Sequence, residues 1–263
     1  TVMLHTAAVI SARRHNKKCE LVNVTGTKNV LDASKEHGVS RFVYFASVDA
    51  LECDESSTVL TEPTEFFPDR LPTAYGKSKA IASRMVLEND CKSMRSVVLL
   101  PTAITGPGDY RNGLVTKSLS AYLTGPTRFA VKGGYDWIDV RDVADAAIKL
   151  SLMENPGKCY ILSNRYYPSA SLLGMLAARA GRKEPKVLFP RWLLYPVSIL
   201  VSMACRLSGS EPPLTFEAVR LMRLHPVFSH EKASADFGFC LRPIEKTMAD
   251  TADFILAEKA KRS

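Results

Sequence analysis

The chain has 263 residues, of which 46% are hydrophobic and 24% charged, and its mean hydropathy is −0.04. This composition excludes a disordered chain, a collagen and a polytopic membrane protein. The formal net charge of +8 favours anionic partners such as a membrane surface or a phosphorylated cofactor. Because no nucleic-acid-binding motif accompanies the charge, we expect no nucleic-acid partner.

The cysteines and histidines lie far apart along the chain. The six cysteines form no C-x-x-C pair, which favours reduced thiols over a disulfide framework. None of the five histidines has a second ligand at helical spacing, so we predict no metal site. The N-terminus carries no secretory signal, and we therefore expect a cytoplasmic protein.

Apolar runs of strand length alternate with helical patterns over the first 165 residues. The predicted strands are Val2–His5, Arg41–Ala46, Ser96–Leu100, Phe129–Val131 and Lys158–Leu162. The predicted helices are Asn16–His37, Thr73–Asp90, Asn112–Leu123 and Asp142–Met153. Continuous apolar strands separated by helices are typical of a parallel α/β sheet that is covered on both faces. Gly38 is predicted to end the first helix, and Asp142 is predicted to cap the start of the last one.

The alternation stops after about residue 165, and helical patterns follow. The predicted helices are Ser169–Ala180, Arg191–Leu207, Thr215–Leu224, Ser229–Phe237 and Pro243–Lys261. We therefore predict a cofactor-binding and catalytic α/β domain over residues 1–165 and a mainly helical substrate-binding lobe over residues 166–263.

The segment Thr73–Ala80 places Tyr75 and Lys79 four residues apart on a predicted helix. Side chains at this spacing share one face, and a nearby ammonium lowers the pKa of a phenol. Tyr75 could then take a proton from an alcohol. Ser47 follows a predicted strand at the edge of the sheet where α/β proteins bind ligands, and its hydroxyl could orient that alcohol. The alternative interpretation of Tyr75 and Lys79 is a pair of surface side chains.

Six motifs, in this order, resemble those of the extended short-chain dehydrogenases/reductases, the NAD-dependent epimerase/dehydratase superfamily. They are Leu4–Ala8, Asn23–Thr27 (N-V-T-G-T), Val39–Ser47, Tyr75 with Lys79, Pro101 with Gly106–Asp109, and Asp139–Ala144. The resemblance implies a Rossmann-like sheet, NAD or NADP as cofactor, and catalysis by Ser47, Tyr75 and Lys79. It also implies a set of cofactor contacts, which are Ala7, Ala8, Asn23, Tyr75, Lys79 and Pro101.

The chain departs from this family pattern at three places. Leu100 and Thr105 stand where the family usually has Arg and Tyr. The sequence also contains no G-x-G-x-x-G turn, which normally holds the pyrophosphate of a dinucleotide. In the family this turn follows the first strand, well before the strand that Val2–His5 resembles. We therefore expect an N-terminally truncated sheet and weak or no dinucleotide binding by this chain alone.

Residues 192–205 are apolar and are bracketed by Arg191 and Arg206. They fit a buried helix, a helix lying on a membrane surface, or, although short for it, a membrane span. The first two interpretations are compatible with a pocket for an apolar alcohol. Through residues 191–207, a membrane-associated protein is therefore an alternative to a purely cytoplasmic one.

The second half of the chain resembles the 3β-hydroxysteroid dehydrogenase branch. The resemblance rests on Pro212–Thr215, on Phe228 and Ser229 with Lys232 and Ala233, and on Phe237–Phe239 with Pro243. It implies oxidation or reduction of a steroid- or sterol-like secondary alcohol or ketone, and it is compatible with a homodimer. The alternatives are a nucleotide-sugar epimerase or dehydratase, a flavanonol-type reductase, and a truncated non-catalytic product.

Overall fold

The structure is a computed structural model that describes residues 1–53, 59–125, 129–185, 187–207 and 227–261. The strands are β1 Val2–His5, β2 Arg41–Phe45, β3 Val59–Leu60, β4 Arg95–Pro101, β5 Ala103–Thr105, β6 Phe129–Val131, β7 Gly134–Asp139, β8 Cys159–Leu162, β9 Arg165–Pro168, β10 Val187–Phe189 and β11 Val227–Phe228. The α-helices are α1 Lys17–Cys19, α2 Gly26–Glu36, α3 Ala74–Glu88, α4 Leu114–Thr124, α5 Val140–Leu152, α6 Ser169–Arg179, α7 Leu194–Leu207, α8 Glu231–Phe237 and α9 Ile244–Ala260.

The chain packs into two compact units, and it enters each of them more than once. The first takes in the described residues of Thr1–Thr102, Val143–Ser163 and Pro226–Cys240. The second takes in those of Ala103–Asp142, Asn164–His225 and Leu241–Ser263. The sequence predicts that a boundary at residue 165 separates a cofactor-binding part from a substrate-binding part. The packing of the chain does not test this division of function, which stays a prediction.

The first unit is built on a parallel four-stranded sheet with the order β1-β2-β4-β8. The side chains of Phe42, Val43 and Tyr44, which follow one another along β2, are all 0% exposed. Successive side chains of a strand point to opposite faces, so both faces of the sheet are covered. The predicted parallel α/β fold is confirmed, and four of the five predicted strands form this sheet.

Several short strands of the structure are absent from the prediction. In the second unit β5, β7 and β9 form a sheet, in which β7 pairs antiparallel with β9. The predicted strand Phe129–Val131 forms, but it pairs with β10 in a separate two-stranded sheet. β7 reads G-Y-D-W-I-D, and its two aspartates hide the apolar pattern on which strand prediction depends.

The predicted helices form within a few residues of their expected bounds, apart from Thr215–Leu224, which lies outside the described residues. The segment Arg191–Leu207 begins with a 3-10 turn over Arg191–Leu193 and continues as α7. Within the described part of the chain, every helix is too short or too polar to cross a membrane.

The two predicted helix-end signals have different outcomes. Gly38 follows α2 with a φ of 65°, and Val39 N–H donates to the Ser34 carbonyl at 2.9 Å, so the predicted end is confirmed. The prediction that Asp142 caps α5 is wrong, because α5 begins at Val140 and Asp139 Oδ1 accepts from Arg141 N–H at 2.8 Å. Asp142 is the third residue of the helix, where its carboxylate accepts hydrogen bonds from the backbone N–H and the side chain of Arg242.

A π-helical segment, Glu20–Thr25, joins α1 to α2 and was not predicted. Cys19, Asn23, Thr27 and Leu31 are buried at every fourth position along this continuous helix. In an α-helix, residues four positions apart are rotated by about 400°, which is about 40° more than a full turn. A π-helical turn is wider and contains about one residue more, so it offsets this drift. The π segment therefore keeps these four side chains on one buried face.

Candidate active site

Strand ends of the first unit bring together the predicted site residues. β1, β2 and β4 run parallel, so their carboxyl ends lie at one edge of the sheet. His5 ends β1, Ser47 follows β2 by two residues, and Pro101 ends β4. This edge is where open α/β sheets bind their ligands.

Tyr75 lies in the first turn of α3, beside the turn that carries Ser47. Thr73 caps this helix by accepting the Gly76 N–H at 3.0 Å. A Cβ added at Gly76 would lie 2.5 Å from the carbonyl oxygen of Asp49, so helix and turn touch at this glycine. The close contact holds the Tyr75 turn against residues 47–49.

The Ser47 side chain lies close enough to the phenol of Tyr75 to influence its pKa. The pKa of Tyr75 is raised by burial and by the Asp49 carboxylate, while a hydrogen bond with the Ser47 side chain lowers it in part. Ser47 Oγ also accepts the Asp49 N–H at 3.1 Å. The structure therefore brings two of the three predicted catalytic side chains near each other.

Lys79 is 2% exposed and is packed between α3 and the sheet. Its Nζ donates to the Phe45 carbonyl at 2.5 Å and lies 4.7 Å from the centre of the Tyr44 ring. Burial lowers the pKa of Lys79 to about 8. The expectation that Lys79 lowers the pKa of Tyr75 is wrong for this structure, because that pKa is raised and the ammonium is bonded to Phe45 instead.

His5 lies at the same edge of the sheet, and the sequence analysis did not single it out. Its Nε2 lies 2.9 Å from Thr27 Oγ1, which donates its only hydrogen to the Asn23 carbonyl at 2.7 Å. Nε2 must therefore carry the ring hydrogen. Burial and the Lys79 charge lower the pKa of His5, and its ring stacks on Tyr44 at 5.6 Å. The sequence signal that could have identified His5 is its place at the end of a predicted strand. In the structure it lies opposite Thr27, the second threonine of the N-V-T-G-T motif.

Asn23 clamps the chain that follows β1. Its Oδ1 accepts from Val9 N–H at 2.7 Å, and its Nδ2 donates to the Val9 carbonyl and to Ser78 Oγ, each at 2.9 Å. Ser78 Oγ in turn donates to the Tyr75 carbonyl at 2.8 Å. Because Asn23 is 0% exposed, any contribution it makes to cofactor binding acts through the stretch that it holds.

The remaining predicted cofactor contacts differ in exposure. Ala7 and Ala8 are exposed in the stretch held by Asn23, and their small side chains leave room for a ligand. Pro101 is buried and pairs with Leu162 of β8. Their contact with a cofactor stays a prediction.

The motif at Gly106–Asp109 forms a tight loop in the second unit. Gly106 has a φ of 147°, and a Cβ there would lie 2.6 Å from Val140 Cγ1. Asp109 Oδ2 accepts the Gly113 N–H at 2.7 Å, which closes the loop before α4. Across the described ranges, no group of three or more His, Cys, Asp or Glu side chains could hold a metal ion.

The chain matches known proteins over most of its length. The model of the 3-beta hydroxysteroid dehydrogenase/isomerase family matches residues 1–171. The 3beta-hydroxysteroid-dehydrogenase/decarboxylase isoform 1 of Arabidopsis thaliana is 26% identical over 99% of this chain and 63% of its own length. The sterol-4-alpha-carboxylate 3-dehydrogenase erg26 of Schizosaccharomyces pombe is 28% identical over 88% of this chain and 70% of its own.

The similarity to solved structures agrees with these sequence matches. The crystal structure of gox2253 superposes with a TM-score of 0.79 and 26% identity, over 98% of this chain and 78% of that one. This chain thus spans less than two thirds of the plant relative and more of the others. The resemblance predicted from the sequence motifs is confirmed, and the chain belongs to the 3-beta hydroxysteroid dehydrogenase/isomerase family.

Proposed function

We propose that this protein oxidises a secondary alcohol of an apolar, sterol-like molecule to a ketone, and catalyses the reverse reduction, with NAD or NADP. The observation that carries the proposal is that the Ser47 side chain lies near the Tyr75 phenol, with Lys79 buried on the same helix as Tyr75. The names of the plant and yeast relatives, which act on hydroxysteroids and sterol carboxylates, support the substrate class.

The residues at this edge of the sheet fit a dinucleotide. An ammonium has three hydrogens, and the Phe45 carbonyl accepts one from Lys79, which leaves donors suited to ribose hydroxyls. Ala7 and Ala8 offer small, exposed side chains beside the sheet edge. When bound, the nicotinamide accepts or supplies the hydride of the reaction.

The protein's own groups move the proton and orient the substrate. Ser47 holds the substrate oxygen by a hydrogen bond, on the side of its hydroxyl that lies near Tyr75. With its raised pKa, Tyr75 is a neutral phenol that can donate its proton to a carbonyl oxygen during reduction. During oxidation the alcohol proton passes to the Tyr75 oxygen once the phenol has lost its own proton, a loss that the raised pKa of Tyr75 disfavours in this structure.

The test is oxidation of 3β-hydroxysterols by the purified chain, followed by the absorbance of the reduced nicotinamide. The dinucleotide is added in large excess, because the sequence has no G-x-G-x-x-G turn and weak binding is expected. Sterol oxidation by the wild type, lost in Tyr75→Phe, supports the proposal. Turnover of nucleotide sugars or flavanonols alone would favour the other reductase and epimerase reactions. The absence of all turnover, with no heat of dinucleotide binding, would favour a non-catalytic product.

Partner predictions beyond the substrate are separate from this reaction. A homodimer stays a prediction, which sedimentation of the purified chain would test. Contact of residues 191–207 with a membrane also stays a prediction, which binding of the purified chain to lipid vesicles in the absence of substrate would test.

A further inference from the structure

Asp49 lies two residues after Ser47, in a 3-10 turn over Val48–Ala50. Ser47 Oγ accepts the Asp49 N–H at 3.1 Å, and the Asp49 carbonyl oxygen packs against Gly76, the residue after Tyr75. The backbone of Asp49 is thus held on both sides beside the predicted catalytic groups, while the residue remains exposed to solvent. Its side chain is therefore available to a ligand at this edge of the sheet.

The carboxylate of Asp49 has no cation beside it. Among the residues that the structure describes, no ion pair includes Asp49. Partial removal from water raises its pKa, and a hydrogen bond with Ser47 lowers that pKa in part. The next acidic residue along the chain, Glu52, is by contrast paired with Arg70 at 3.0 Å. A carboxylate that is partly removed from water without a cation is stabilised by groups that donate hydrogen bonds to it.

The negative charge of Asp49 acts on the groups that would hold the substrate oxygen. Burial is the largest cause of the raised pKa of Tyr75, and the charge of Asp49 is the next. No cation is among the causes that change this pKa. In the proposed reaction the substrate oxygen lies between Ser47 and Tyr75, so the carbon atoms beside it lie in the same negative field. Two negative charges within about 10 Å repel each other enough to change an affinity about tenfold where water is partly excluded.

We propose that Asp49 is a specificity-determining residue, which favours neutral substrates that carry a hydrogen-bond donor beside the reacting hydroxyl and rejects substrates that carry a carboxylate there. The inference rests on the proposed function and divides its substrate class, because hydroxysteroids are neutral whereas sterol carboxylates are anionic. A hydroxyl or amide of the substrate can donate to Asp49. An anion at the same place leaves Asp49 without a donor and adds repulsion, which is how a site rejects a ligand of similar shape.

Two ligands of nearly the same shape test this selection. One is a 3β-hydroxysteroid with a 4α-carboxylate, and the other is the same steroid with a 4α-carboxamide. Equilibrium dialysis at pH 8, where an exposed carboxyl group is ionised, gives the Kd of each ligand without dinucleotide or turnover. The wild type should bind the carboxamide at least about tenfold more tightly than the carboxylate. Asp49→Asn should reduce this preference to less than about threefold.

Glu52→Gln is the matched control. It also removes one negative charge from this part of the chain, but Arg70 already balances the charge of Glu52, so the tenfold preference of the wild type should remain. Asp49→Ser is a second variant, with a smaller uncharged side chain, and it should lose the preference as Asp49→Asn does. Thermal unfolding checks that each variant folds.

The outcomes separate this inference from the proposed function. Equal affinities of the wild type for the two ligands, or a preference that both Asp49 variants retain, would overturn the role of Asp49, and sterol oxidation would then still support the reaction. Failure of both ligands to bind would overturn the two proposals together. Selective binding that depends on Asp49, without any hydride transfer, would support the role of Asp49 and refute the reaction.

Discussion

Replacing Gly76 with alanine should destabilise the protein, because the new methyl group meets backbone on the neighbouring turn. Its Cβ would lie 2.5 Å from the Asp49 carbonyl oxygen, whereas ordinary contacts begin near 3.4 Å, so α3 and the turn must separate by about 0.9 Å. Overpacking of this kind costs about 1–3 kcal/mol. Alanine gains up to about 1 kcal/mol over glycine in a helix, and we expect a net loss of about 1–2 kcal/mol.

Gly26→Ala is the matched control for this variant. Gly26 has helical backbone angles, and a Cβ there would meet only the Leu21 carbonyl oxygen at 3.8 Å. It should therefore stabilise the protein by about 0.5–1 kcal/mol. Urea unfolding followed by circular dichroism measures both variants against the wild type. If Gly76→Ala proved as stable as Gly26→Ala, the contact between α3 and the Ser47 turn would be refuted.

The same displacement should damage catalysis. A shift of about 1 Å between Tyr75 and Ser47 can lower the rate about 10²-fold, because proton transfer depends on their mutual position. Gly26→Ala, which lies on another helix, should leave turnover within about twofold of the wild type.

Three further variants probe the rest of the site. The pKa of Lys79 is lowered to about 8 from 10.5, so between these values the unfolded chain binds more protons than the folded one. As the pH rises from about 8 to 10.5, the free energy of unfolding of the wild type relative to that of Lys79→Met should increase by up to about 3 kcal/mol. If urea titrations gave the same difference at every pH, the burial of the ammonium would be contradicted. Asn23→Ala removes three hydrogen bonds and should lower the free energy of unfolding by about 2–4 kcal/mol, against about 1 kcal/mol for the helix cap Asn16→Ala. Tyr75→Phe should lower sterol turnover by about 10²–10⁴-fold with stability changed by less than about 1 kcal/mol, and retained turnover would exclude a phenol acid or base.

Local sequence was enough to predict the main sheet and the place of Tyr75. The runs at Arg41–Ala46 and Ser96–Leu100 are almost entirely apolar. Such a run is typical of a strand whose two faces are both buried. Ser47 and Tyr75 follow directly from a strand end and a helix start, so their positions needed no knowledge of distant residues.

Features that depend on distant contacts were not predictable in the same way. The partner of Lys79 is the Phe45 carbonyl, 34 residues away, and Lys79 reaches that atom because α3 packs on the sheet that contains β2. The pKa of Tyr75 follows from burial and from Asp49 rather than from the lysine one turn away. The cap of α5 was misplaced because two aspartates stand three residues apart, and the end of β7 decides between them.

The π segment before α2 makes this part of the chain sensitive to length. A π turn behaves as a single residue inserted into an α-helix, and deleting one residue from Glu20–Thr25 would restore a regular helix. A deletion between Asn23 and Thr27 would leave these two residues three positions apart, and at about 100° per residue they would point about 60° apart around the helix, which would carry the Asn23 side chain away from Val9. A one-residue deletion there would therefore release the stretch with Ala7 and Ala8 as surely as removing the Asn23 amide, with every other side chain of the site unchanged.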